Sequence, residues 1–126
     1  MDRRTVSVIE LVQAHLSSDL LKLEYKNNNN QDNPLYGHCY VASEAVYHLL
    51  GSEKVVPCYG RHKEGGTHWW LVDRKTNEII DPTADQYYCV GKRPPYDGGV
   101  RSGFLTKKPS KRAQIVLNRI RAGQKS

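Results

Sequence analysis

The chain has 126 residues, 38% of them hydrophobic and 25% charged, enough for one core but not two, so a single domain spanning 1–126 is expected. No stretch approaches the run of about 20 apolar residues that a bilayer-crossing helix needs, and residues 1–10 carry charges where a secretory leader needs an apolar block, which predicts a cytoplasmic protein with no membrane partner. The net charge of +6 is confined to the tail, because 101–126 holds eight Lys or Arg and no Asp or Glu, while the rest of the chain sums to −2.

In chain order, Ile9, Val12, Leu16 and Leu20 recur at intervals of three and four, which predicts an amphipathic helix from about Thr5 to Leu21. The run of Asn, Gln and Asp over 27–33 favours turns and reads as a loop, closed by Pro34 and Gly37. A second helix is predicted from Cys39, with Ala42, Ala45, Val46 and Leu49 on its apolar side and Gly51 at its C-cap. Val55 to Tyr59 reads as a short strand, Thr67 to Val72 as a second, and Glu78 to Asp81 as a return strand, with 73–77 as the turn of a hairpin. Pro94-Pro95 and Gly98-Gly99 interrupt 88–109, where no regular element is assigned and the chain is expected to wrap the sheet. Ser110 is a fitting N-cap for a final helix with Ala113, Val116, Leu117 and Ile120 on one face.

Three cysteines, Cys39, Cys58 and Cys89, cannot all pair within one chain, so at least one thiol is free. A thiol is a nucleophile only as thiolate, and the first turn of a helix favours the anion through its unpaired N–H groups and the positive end of the helix dipole. Cys39 alone stands at such a position. His68 heads an aromatic strand, and Asp81 ends the strand expected to pair with it. A hairpin turn over 73–77 brings the two together, so that the carboxylate orients the imidazole that takes the thiol proton.

The segments Gly37-His38-Cys39-Tyr40-Val41-Ala42-Ser43-Glu44-Ala45, Thr67-His68-Trp69-Trp70-Leu71-Val72 and Ile80-Asp81-Pro82-Thr83 together resemble the transglutaminase-like branch of the papain-like cysteine enzymes. The resemblance covers about residues 33 to 85. It implies an α+β fold in which a nucleophile-bearing helix packs on a small antiparallel sheet, flanked by N- and C-terminal helices. It also implies acyl transfer through a thioester, with Cys39, His68 and Asp81 as catalytic residues and neither cofactor nor metal. Relatives often carry a Gln six residues before the nucleophile as an oxyanion donor. Asn33 holds that offset here, with Gln31 behind it in reserve, and Asp85 is the reserve orienting acid. Spacings of 29 residues from Cys39 to His68 and 13 from His68 to Asp81 describe a short member of the group.

Tyr36 and His38, in the loop before the nucleophile, and Trp69 and Trp70, on opposite faces of one strand, are the substrate-groove candidates. The expected substrate is a protein, peptide or small molecule with an amide bond. A zinc site formed from Cys39, Cys58, His62, His68 and Cys89 is disfavoured because no Cys-x-x-Cys pair exists. The alternative to an enzyme is a binding module that meets nucleic acid or an acidic protein through the basic segment 101–126.

Overall fold

A computed structural model describes residues 1–21, 23–26, 29, 32–35, 37–62, 66–104 and 107–124. The fold is α+β, with helices α1 (Arg3–Gln13), α2 (Leu23–Lys26), α3 (Cys39–Leu50), α4 (Asp85–Tyr88) and α5 (Lys111–Gln124). Strands β1 (Val55–Arg61), β2 (Thr67–Asp73), β3 (Ile79–Ile80) and β4 (Val100–Arg101) form one antiparallel sheet in the order β3-β2-β1-β4.

The first helix is shorter than its periodicity suggests. Asp2 caps it by accepting the Thr5 N–H at 2.7 Å, but regular structure ends after Gln13, and Ser18–Leu20 forms a separate 3₁₀ turn. Ser17 is extended there, and its hydroxyl bonds the Asp19 carboxylate, a local polar contact that competes with the helical ladder. Leu20 and Leu21 are buried all the same, reaching the interior from the turn instead of from a helical face.

The second helix and the hairpin match expectation. Gly51 ends α3 at φ +98°, where its N–H meets the Tyr47 carbonyl, and only glycine enters that region without strain. The β2–β3 turn is held by the Asp73 carboxylate, which accepts the N–H groups of Lys75 (2.8 Å) and Thr76 (3.1 Å) and pairs with Lys54 at 2.9 Å. It sets Leu71 opposite Ile80 and Val72 opposite Ile79.

The core lies between one face of the sheet and three helices: Val55, Leu71 and Ile80 pack with Val12 of α1, Val41, Ala42, Ala45 and Val46 of α3, and Ala113, Val116, Leu117 and Ile120 of α5. Each large member contributes roughly 1.5–3 kcal/mol by leaving water. Ser110 caps α5 through a 3.3 Å bond from the Ala113 N–H to its hydroxyl. The other sheet face, bearing Cys58, Gly60, His68 and Trp70, is covered by the irregular segment 94–99. A methyl group on Gly60 would lie 2.2 Å from the Pro95 carbonyl oxygen, and one on Gly99 would lie 2.5 Å from the Trp70 ring. The expected wrapping segment therefore exists, and two glycines allow it to lie flat. No described helix is long and apolar enough to cross a membrane.

Candidate active site

β3 is two residues long and bonds only Leu71 and Val72, so among the described residues the beginning of β2 has no ladder partner on that side. Alternate carbonyls of a strand point the same way. Those of Thr67 and Trp69 are met by α3: the Cys39 thiol lies 3.9 Å from the Thr67 oxygen, and the Ser43 hydroxyl donates to the Trp69 oxygen at 3.2 Å. The nucleophile helix is thus docked against β2 at the strand's start, where His68 sits.

Gly37 lets the chain enter α3. Its φ of +84° excludes most side chains, and a Cβ there would lie 2.8 Å from that of Tyr25 and 2.9 Å from a Leu21 methyl carbon. Ladder bonding begins with the Ala42 N–H on the His38 carbonyl at 2.8 Å. The preceding N–H groups, that of Cys39 among them, belong to the first turn, where a helix has no carbonyl to offer them. Cys39 is half-buried, with its sulfur at this N-terminus.

His68 is 0% exposed. Its Nε2 is 2.6 Å from Asp81 Oδ2, which leaves Nδ1 free of the carboxylate, and Cys39 is close enough to favour a charge on the ring. Burial works against a charge on the ring. The Asp81 hydrogen bond, followed by that of Cys39 and the charges of both, outweighs it and pushes the imidazole up to about 9. Asp81 is held in turn: Oδ1 accepts the Thr83 N–H at 3.1 Å, and Oδ2 accepts the Tyr96 hydroxyl at 2.8 Å as well as His68. The three residues singled out in the sequence therefore meet, in the order sulfur, imidazole, carboxylate. Asp85 is exposed at the start of α4 and takes no part in this network.

The remaining candidates divide. Tyr36 and Gln31 lie outside the described residues. Asn33 is 8% exposed, and its Nδ2 donates to the Gln86 carbonyl at 3.0 Å, so the side-chain donor expected to face an oxyanion is committed to the protein. The Cys39 backbone N–H is the better-placed donor. His38 is 1% exposed, and its Nε2 has no hydrogen-bond partner among the described residues. Burial lowers its ring to about 4 against a weaker opposing pull from Asp19, so it is a neutral interior residue and not a groove wall. Trp70, 3% exposed, stacks on His68 with ring centroids 5.7 Å apart and roofs the imidazole instead of lining a groove. Trp69 stays half-buried in an aromatic cluster with Tyr40 (5.1 Å), which directly follows the nucleophile in the chain, Tyr59 (5.2 Å) and Phe104 (5.5 Å).

Three residues of this shell escaped the sequence reading. Gln86 of α4 is buried and bridges the site: Oε1 accepts the Gly37 N–H at 3.3 Å, and Nε2 lies 3.0 Å from the Thr83 hydroxyl and 3.5 Å from His68 Nδ1. Tyr87 sets its ring edge on His68 at 4.8 Å and shares a 2.7 Å hydrogen bond with His62. Tyr96 arrives from the 94–99 segment. None belongs to a periodic pattern, and the only available signal was an isolated tyrosine framed by Pro94-Pro95 and Gly98-Gly99.

The constellation is of the kind that can move a proton from a thiol to an imidazole while the buried carboxylate stabilises the resulting imidazolium. Among the described residues no cluster of three His, Cys, Asp or Glu is arranged to hold a metal ion. Part of the basic segment is built into the fold: α5 buries its apolar face in the core, and Arg119 bonds Ser17, Asp19 and the His15 carbonyl. Comparison with protein-family models, with curated proteins and with solved structures returns no match.

Proposed function

We propose that the protein is a cysteine-dependent acyl-transfer enzyme of the transglutaminase-like kind, acting on an amide or isopeptide bond of a protein, peptide or small molecule. The observation that supports this most directly is the His68 ring, fully buried and fixed through Nε2 on Asp81 at 2.6 Å, with the half-buried Cys39 thiol near enough to favour its charge. A structural cysteine requires neither a buried acid–base pair nor a helix N-terminus.

In this reading His68 Nδ1 takes the thiol proton, and the sulfur adds to the substrate carbonyl carbon, placing negative charge on the oxygen near the Cys39 N–H. The intermediate collapses as the C–N bond breaks, the leaving nitrogen takes the proton from Nδ1, and a thioester remains on Cys39. Water or an amine then gives its proton to Nδ1 and adds to the thioester carbonyl. The second collapse returns that proton to sulfur and releases an acid or a new amide. Trp70 and Tyr87 cover much of the ring, which limits the approach of water or amine to its Nδ1 side.

Alkylation with iodoacetamide, followed residue by residue, tests the reading because exposed Cys89 is an internal reference thiol. Cys39 is expected to react at least tenfold faster than Cys89 at pH 6.5, and His68→Ala to erase that advantage. Incubation with an activated ester should leave a hydroxylamine-labile acyl group on Cys39. Equal rates for the two thiols in the wild type, with no acyl adduct, would refute the proposal.

A further inference from the structure

Tyr96 stands 15 residues beyond Asp81, on a segment without regular structure, yet its hydroxyl donates to the carboxylate oxygen that also holds His68. Its placement is enforced from several directions. The Tyr96 N–H bonds the Pro94 carbonyl at 2.9 Å, and the Gly99 N–H returns to the Tyr96 carbonyl at 3.0 Å, closing a turn whose third residue, Gly98, has φ +78°. The Tyr96 ring meets Trp70 edge-on at 5.1 Å, and Trp70 lies against Gly60 and Gly99.

We infer that Tyr96 is a positioning residue for the proposed catalytic pair: by donating to Asp81 Oδ2 it sets how strongly the carboxylate holds a proton on His68. The inference rests on the proposed function for its bearing on turnover, but its effect on the imidazole does not. A carboxylate that accepts an additional hydrogen bond has less charge left for each of its other donors. With the tyrosine hydroxyl gone, Oδ2 serves His68 alone and the imidazolium becomes harder to deprotonate. Such a pair needs an imidazole that both accepts and returns a proton, and an imidazolium held too firmly returns it slowly.

Among the described residues, the polar groups that face His68 and Asp81 include Cys39 from α3, Thr83 after β3, Gln86 and Tyr87 from α4, and Tyr96 itself, with His62 reached through the Tyr87 hydroxyl. Tyr88 is the other polar neighbour of Tyr96. Burial first, then the Asp81 charge and hydrogen bond, push the Tyr96 phenol upward, so it stays protonated and able to donate.

Tyr96→Phe keeps the ring that packs on Trp70 and removes only the donor, whereas 3-fluorotyrosine at position 96 makes the donor stronger. The His68 ring titration, followed by NMR in the full-length protein, should move up by roughly one pH unit in Tyr96→Phe and down with fluorotyrosine. The alkaline limb of the Cys39 alkylation profile should move the same way. Ring titrations identical to wild type in both variants would overturn the inference, even if activity fell. If the ring titrations move but Cys39 reacts no faster than Cys89, the positioning role stands and the enzymatic reading fails.

Discussion

His68 is under two opposed influences, and their balance has a consequence for stability. Burial disfavours its charge, while Asp81 and Cys39 favour it and carry the folded ring to about 9, above the ordinary value of 6.5. A group whose folded pKa is raised gives stability that is complete below its unfolded pKa and is lost as pH rises through the folded one. The window for His68 is therefore about pH 6.5 to 9. At 1.36 kcal/mol per unit, the ceiling is on the order of 3 kcal/mol. Urea unfolding should show the wild type losing stability relative to His68→Gln across this window, with no such difference accumulating between pH 5 and 6. A constant difference from pH 6 to 9 would mean that the ring titrates alike in the folded and unfolded chains. Gln86 adds a second test at this scale. Gln86→Ala removes the acceptor of the Gly37 N–H and the amide beside Nδ1, which should cost about 1–3 kcal/mol and slow Cys39 alkylation, whereas substitution of exposed Asp85 should change neither.

At the scale of elements, a buried carboxylate links the nucleophile helix to the last helix. Glu44 of α3 is fully buried and accepts both the N–H (2.9 Å) and the hydroxyl (2.6 Å) of Ser110, so one side chain holds the N-terminus of α5 against α3. Glu44→Ala takes the acceptor from the N–H and hydroxyl of half-buried Ser110, and should lower unfolding free energy by about 2–4 kcal/mol in a urea titration. Glu44→Gln is expected to fall between that variant and wild type, since a single carbonyl oxygen remains to accept.

This contact was invisible in the sequence because its partners are 66 residues apart and Glu44 falls on a helix whose neighbours appeared to be its whole context. What could be read were elements with local causes: α3 from its apolar spacing and Gly51, α5 from Ser110, and the β2–β3 hairpin from its turn. Those elements brought Cys39, His68 and Asp81 together. The first helix was overextended because Leu16 and Leu20 kept a helical interval across a break made by Ser17 and Asp19. The 94–99 segment yielded no element because its placement is set by Trp70 and by Gly60 on a distant strand, and Tyr96 was missed along with it.

The whole molecule has its core on one sheet face and His68 under Trp70 on the other, with Cys39 carried by α3 from the core side, and α5 of the basic segment belongs to that core side. Viewed as sequence, 101–126 is a cationic tail. In the fold, α5 contributes Ala113, Val116, Leu117 and Ile120 to the core, and Arg119 joins it to the turn after α1. Two interventions on one segment should therefore diverge. Deleting 110–126 exposes the helix-facing side of the core and removes the partner of buried Glu44, so circular dichroism should report loss of cooperative folding. Charge reversal at exposed Lys111 and Arg121 alters the field without touching a buried contact, and unfolding free energy should stay within about 0.5 kcal/mol of wild type. If the truncated chain kept a cooperative transition and the reactivity of Cys39, α5 would be an accessory arm and a binding role for its charges would gain ground. If it unfolds while the charge-reversed protein still alkylates at Cys39 normally, the segment's first duty is to hold α3, and with it the nucleophile, against the sheet.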